Sequence, residues 1–80
     1  MHRYTLGHEW KRGERTFHAF TRQVREDDGA VSYVPAVQTV IRDAAGPVVE
    51  ASRERFNAQG AALSRAKVLL QEYFGLDPSL

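Results

Sequence analysis

The 80-residue chain contains no cysteine. Disulfide staples, thiolate zinc sites and thiol nucleophiles are therefore excluded, and so short a domain must be held by packing, by a partner, or by both. Long apolar runs are missing too: nothing approaches the roughly 18 residues that suggest a membrane-spanning helix. The first 20 residues carry His2, Arg3, His8, Glu9, Lys11, Arg12, Glu14 and Arg15. That breaks any apolar leader segment, and a cytoplasmic location is the expectation. No glycine-rich phosphate loop of the Walker type occurs. Net charge is close to zero at +1, which does not favour a general polyanion binder.

What is present is a change of period along the chain. Between Ala61 and Phe74 the apolar residues Ala62, Leu63, Ala66, Leu69, Leu70 and Tyr73 recur at helical spacing, and Gly75 stands where the helix should stop. Asn57 is the expected cap at its start, with Gln59-Gly60 or Gly60 itself as the alternatives. Everything earlier reads as strands. Tyr4, Leu6, His8 and Trp10 alternate with Thr5, Gly7 and Glu9, which predicts a strand over 3–11. Gly7 inside it suggests a bulge or a close backbone approach.

Arg12-Gly13-Glu14 is the first turn, and a second strand over 15–25 carries Phe17, Phe20 and Val24. Glu26-Asp27-Asp28-Gly29 turns the chain again. A third strand over 30–42 contains Pro35, which predicts a bulge, an edge position or a split, because proline donates no ladder hydrogen bond. Asp43-Ala44-Ala45-Gly46 is the next turn, and Pro47 opens a fourth strand to Phe56. The fold class is α+β: a three- or four-stranded antiparallel β-meander with one C-terminal α-helix packed on one face. Residues 1–75 form the single domain and residues 76–80 a flexible tail.

The register of the first hairpin decides what is buried. A three-residue loop at 12–14 places Leu6 opposite Phe20 and His8 opposite His18, gathering Leu6, Trp10, Phe20 and Val24 on one face. A two-residue loop places Leu6 opposite Ala19 and His8 opposite Phe17, gathering Leu6, Trp10, Phe17 and Ala19 instead. The first is preferred, since three-residue loops with glycine are common. The expected core is Leu6, Trp10, Phe20, Val37, Ile41, Val49, Phe56, Leu63, Ala66, Leu69, Leu70 and Tyr73.

Both parities of the third strand are apolar, and a helix of about 14 residues covers only part of a four-strand sheet. A homodimer through the sheet face opposite the helix is therefore the expected partner. Against it stands the ordinary exposure of scattered valines in small sheets.

Two constellations could carry chemistry. His8, Glu9 and His18, with His2, would bring imidazoles together across the first hairpin, where they could hold a metal ion or act in acid–base chemistry. Glu9 points away from His8 on its strand and no third ligand is evident, so no catalytic, metal or cofactor residues are assigned. The second set is basic. Residues 1–25 hold six basic against two acidic side chains, whereas residues 26–50 hold one against five. Arg3, Lys11, Arg12, Arg15, Arg22 and Arg25, interleaved with Tyr4, Trp10 and Phe17, could track phosphates and stack bases. Cross-strand pairing between the basic and acidic segments is the simpler account.

Val48-Val49-Glu50-Ala51-Ser52, Arg55-Phe56, Gly60-Ala61-Ala62 and Arg65-Ala66 together resemble a pattern in small uncharacterised bacterial proteins of the domain-of-unknown-function kind. Those have a β-meander followed by a helix. The resemblance spans residues 30–75, implies a bacterial source and the same fold, and names no activity. The functional expectation is a small non-enzymatic binding or protein-interaction module, homodimeric. The alternative is a nucleic-acid-binding module that uses the basic N-terminal β-hairpin.

Overall fold

The computed structural model describes residues 3–77, the first four of them by backbone alone. Three long strands form the centre: β1 (Arg3–Arg12), β2 (Arg15–Arg25) and β3 (Val31–Ile41), each antiparallel to the next. Two short strands, β4 (Ala44–Ala45) and β5 (Val49–Glu50), pair with the far side of β3, and a bridge between Tyr33 and Phe56 continues that lane. One helix, α1 (Gln59–Phe74), then packs over β2 and β3. This is the α+β meander with a C-terminal helix, its fourth strand reduced to fragments.

Pro35 accounts for the break that follows β5, whereas β4 and β5 part at Gly46-Pro47-Val48, where the pairing with β3 shifts by one residue. It lies mid-way along β3, opposite Thr21, and is fully buried. Its carbonyl accepts from the Ala51 N–H at 3.1 Å, so its backbone groups face the outer lane rather than β2. With no N–H to offer there, it cannot complete a ladder. The outer lane leaves the sheet after Ala51, turns through a Glu54 N–H to Ala51 carbonyl bond of 2.9 Å, and rejoins where Tyr33 and Phe56 exchange bonds of 2.8 and 3.0 Å. The expected interruption of the third strand thus falls on its neighbour, and β3 stays whole.

The first hairpin adopts neither of the two expected registers. Arg12 pairs with Arg15 and the loop is Gly13-Glu14. Gly13 has φ 65° and Glu14 does not enter the left-handed region, the pattern of a type II′ turn with glycine first. Trp10 then faces Phe17, Glu9 faces His18 and His8 faces Ala19. The face partition is that of the second expected register: Phe17 and Ala19 share the helix side with Trp10. Between Thr5 and His8 the register shifts, so Leu6 and Gly7 stand against the single residue Phe20. At the end of β3 the chain reverses on Arg42 and Asp43, at φ 49° and 66°, earlier than the expected turn over Asp43–Gly46.

The core lies between the sheet and α1. Phe17, Ala19 and Val37 meet Ala66, Leu69, Leu70 and Leu76, while Trp10, Val49, Ala51, Leu63 and Phe74 close the sides. Two expected core residues are exposed instead: Ile41 is 43% and Tyr73 58% exposed. Ile41 is the last residue of β3, and Tyr73 stands beside residues 51–54. Phe74 packs inward instead, its ring 6.0 Å from that of Phe17. Phe20 is buried on the other face, and Phe56 is half-buried at its bridge. The Leu6 side chain and residues 78–80 of the expected tail lie outside the described residues. Leu76, assigned to that tail, is buried in the core. The helix starts after Ala58, which supplies no side-chain cap, rather than after Asn57 or Gly60, and ends as expected at Gly75. Among the described residues no helix is long and apolar enough to cross a membrane.

Candidate interaction surface

The two edges of this sheet are built differently. The β3 side is covered by the broken lane of residues 44–56, so little continuous backbone is offered there. On the other side β1 is the terminal strand, ten residues long, and among the described residues no strand pairs with its outer edge, where the Lys11 carbonyl accepts from the Arg12 guanidinium at 2.9 Å. In a two-residue hairpin the pair flanking the loop is hydrogen-bonded, and bonded and non-bonded positions alternate from there. Arg12, Trp10 and His8 therefore turn their amides toward β2, and Glu9 and Lys11 turn theirs outward. Their side chains are exposed on the face opposite α1, with the Glu9 carboxylate 3.6 Å from His18 Nδ1.

Gly7 explains how the helix reaches this margin. A Cβ on it would lie 2.1 Å from the Ala19 carbonyl oxygen and 2.7 Å from Leu63 Cδ1. The bulge and the close approach expected from this glycine therefore coincide. The helix axis stays over β2 and β3, which leaves the β1 margin open beyond it.

The reverse face of the sheet is less bare than its sequence suggests. Phe20 is 8% exposed, and Val34 and Ala36 are fully buried within the single chain. Above them the Arg22 guanidinium donates to the Glu50 carboxylate, a partly buried ion pair that reaches from β2 across β3 to β5. The apolar centre of that face is thus already covered.

The histidine constellation does not assemble. His8 lies on the helix side with its ring 6.0 Å from Trp10, and His18 lies on the reverse side with Glu9. The expected pairing of His8 with His18 is corrected by the shifted loop, which moves each residue by one position. His2 lies outside the described residues. No group of three or more potential metal ligands occurs among those described.

The six basic residues are likewise dispersed. Lys11, Arg12 and Arg15 cluster at the Gly13 turn, with Arg15 stacked 5.8 Å over the Phe17 ring. Arg25 is at the opposite end of β2, about 33 Å away at the usual strand rise. Arg22 is engaged by Glu50. The Arg3 side chain lies outside the described residues, although its backbone pairs with Gln23.

Two hollows among the described residues lie near these elements. The larger, about 590 Å³, opens at the Gly13 end between Phe17, Ile41, Phe74 and Leu76. The charges on its rim are engaged within the chain: Glu14 accepts from Arg42 at 2.6 Å, and Arg12 donates to the Lys11 carbonyl at 2.9 Å. The smaller lies between residues 51–54 and Tyr73. Beside it Arg65 joins Glu54 at 2.8 Å and Glu72 at 3.3 Å, tying that loop to α1.

Sequence reading passed over Glu9 and Lys11 as an edge. The signal that could have found them is the Gly-Glu pair at 13–14, whose type II′ preference fixes the register and with it which amides point outward. Comparison with protein-family models, with curated proteins and with solved structures finds no match for this chain.

Proposed function

We propose that this protein is a non-enzymatic interaction module that takes up an extended segment of a partner chain along the outer edge of β1. The observation that carries this reading is the asymmetry of the sheet. One edge is closed by three short pieces, and the other presents a long strand whose Glu9 and Lys11 amides point outward. An added strand would gain main-chain hydrogen bonds there, with alternate side chains meeting the two faces. The bulge at Leu6 and Gly7 blunts the first half of this edge, so the stretch suited to pairing is the flat one from His8 to Lys11. The partner site moves to this edge from the sheet face opposite the helix, because Phe20, Val34 and Ala36 are already covered on that face. Nucleic-acid binding would rest on Lys11, Arg12 and Arg15 at the Gly13 turn, since Arg25 lies at the far end of β2 and Arg22 is engaged by Glu50.

A photo-crosslinking amino acid at position 9, used in extracts of cells that express the protein, tests the reading. Adducts between position 9 and a strand of any chain are expected. They should vanish when Lys11 is replaced by proline, which removes one outward N–H without disturbing the ladder to β2. Adducts no more frequent than those from position 72 on the exposed side of α1 would refute it.

A further inference from the structure

We infer that the partner strand is β1 of a second copy of this chain, paired antiparallel about a two-fold axis at Trp10. The inference rests on the reading of β1 as a pairing edge and adds the identity of the occupant. It follows from register and charge. A symmetric antiparallel pair must place outward-facing residues opposite outward-facing residues, which here are Glu9 and Lys11. Three registers near the centre of residues 8–12 satisfy this. Centred on Glu9, the pair sets two carboxylates against each other. Centred on Lys11, it sets two ammonium groups together.

Centred on Trp10, each Glu9 meets the partner copy's Lys11, twice over by symmetry, on the face away from the helices. Opposite charges directly across a ladder are favourable and like charges unfavourable, so the charge pattern selects one register of the three. A lysine alone would guard this edge against a second copy; alternation with Glu9 makes the edge complementary to itself. On the opposite face the two Trp10 side chains would meet across the axis as a non-hydrogen-bonded pair, where side chains approach most closely. The two helices would sit over β2 and β3 of their own copies, away from the seam. The shift at Leu6 and Gly7 limits the flat pairing segment to residues 8–12.

Sedimentation equilibrium on the full chain tests this, with thermal melts verifying that each exposed-site variant folds. The wild type is expected to dimerise reversibly. Lys11→Glu or Glu9→Lys converts both attractive pairs to repulsive ones and should weaken the dimer by about ten-fold or more. The double swap Glu9→Lys with Lys11→Glu restores complementarity and should return the dissociation constant to within about three-fold of the wild type. A monomer at every concentration overturns the inference, as does a dimer indifferent to the single swaps or one that the double swap does not rescue. Position-9 adducts to another protein together with a strictly monomeric chain would remove the self-pairing and leave the interaction reading standing.

Discussion

Replacing Gly7 with alanine adds one methyl group at the most confined point of the fold. The new carbon would lie 2.1 Å from the Ala19 carbonyl oxygen and 2.7 Å from Leu63 Cδ1. The Leu63 methyl is the end of a flexible side chain and can turn aside. The Ala19 carbonyl belongs to β2, which is held between two long neighbours, so β1 must move instead. Overpacking of this kind costs about 1–3 kcal/mol, and the rigidity of the carbonyl places the expected value near 3.

A domain of this size has total stability of about 4–12 kcal/mol. At about 4–8 °C per kcal/mol, the midpoint should fall by roughly 12–24 °C. Thermal and urea unfolding followed by circular dichroism measures it, with Leu63→Ala as a second background. If the carbonyl is the obstacle, Gly7→Ala should cost nearly as much when Leu63 is shortened. A Gly7→Ala protein melting within about 2 °C of the wild type would refute the close approach.

Three further outcomes are expected. Leu70→Ala removes a fully buried side chain from the centre of the helix face and should lower stability by about 2–5 kcal/mol in urea titration. Glu50→Ala leaves the Arg22 guanidinium partly buried without its carboxylate and should cost about 1–3 kcal/mol, with Arg22→Ala plus Glu50→Ala costing less than the two single losses added. Ala58→Asp supplies the side-chain cap that α1 lacks and places a carboxylate at an N-terminus with no acidic residue in its first turn. It should stabilise by about 0.5–2 kcal/mol, read as a higher melting temperature.

The sequence by itself determined the kinds of element and their order. A period of two through Trp10 and a period near 3.6 from Ala62 to Leu70 are properties of the local chain, and Gly75 ends the helix by its own backbone freedom. Those signals need no tertiary partner, and they sufficed for the α+β meander. What only the tertiary structure decided is how the elements are registered and which backbone is left over. The shift of the first loop to Gly13-Glu14 separated His8 from His18, buried Phe17, and turned the amides of Glu9 and Lys11 outward.

Pro35 announced a defect in the ladder, yet its effect fell on the lane beside it, because the donor it lacks is one that the neighbour would have used. Leu76 looked like a tail and Tyr73 like core until the last helical turn ran past the sheet and Gly75 brought the chain back. Periodicity is local, whereas register and edge exposure depend on contacts between residues far apart in the chain, and a one-residue slip reverses them.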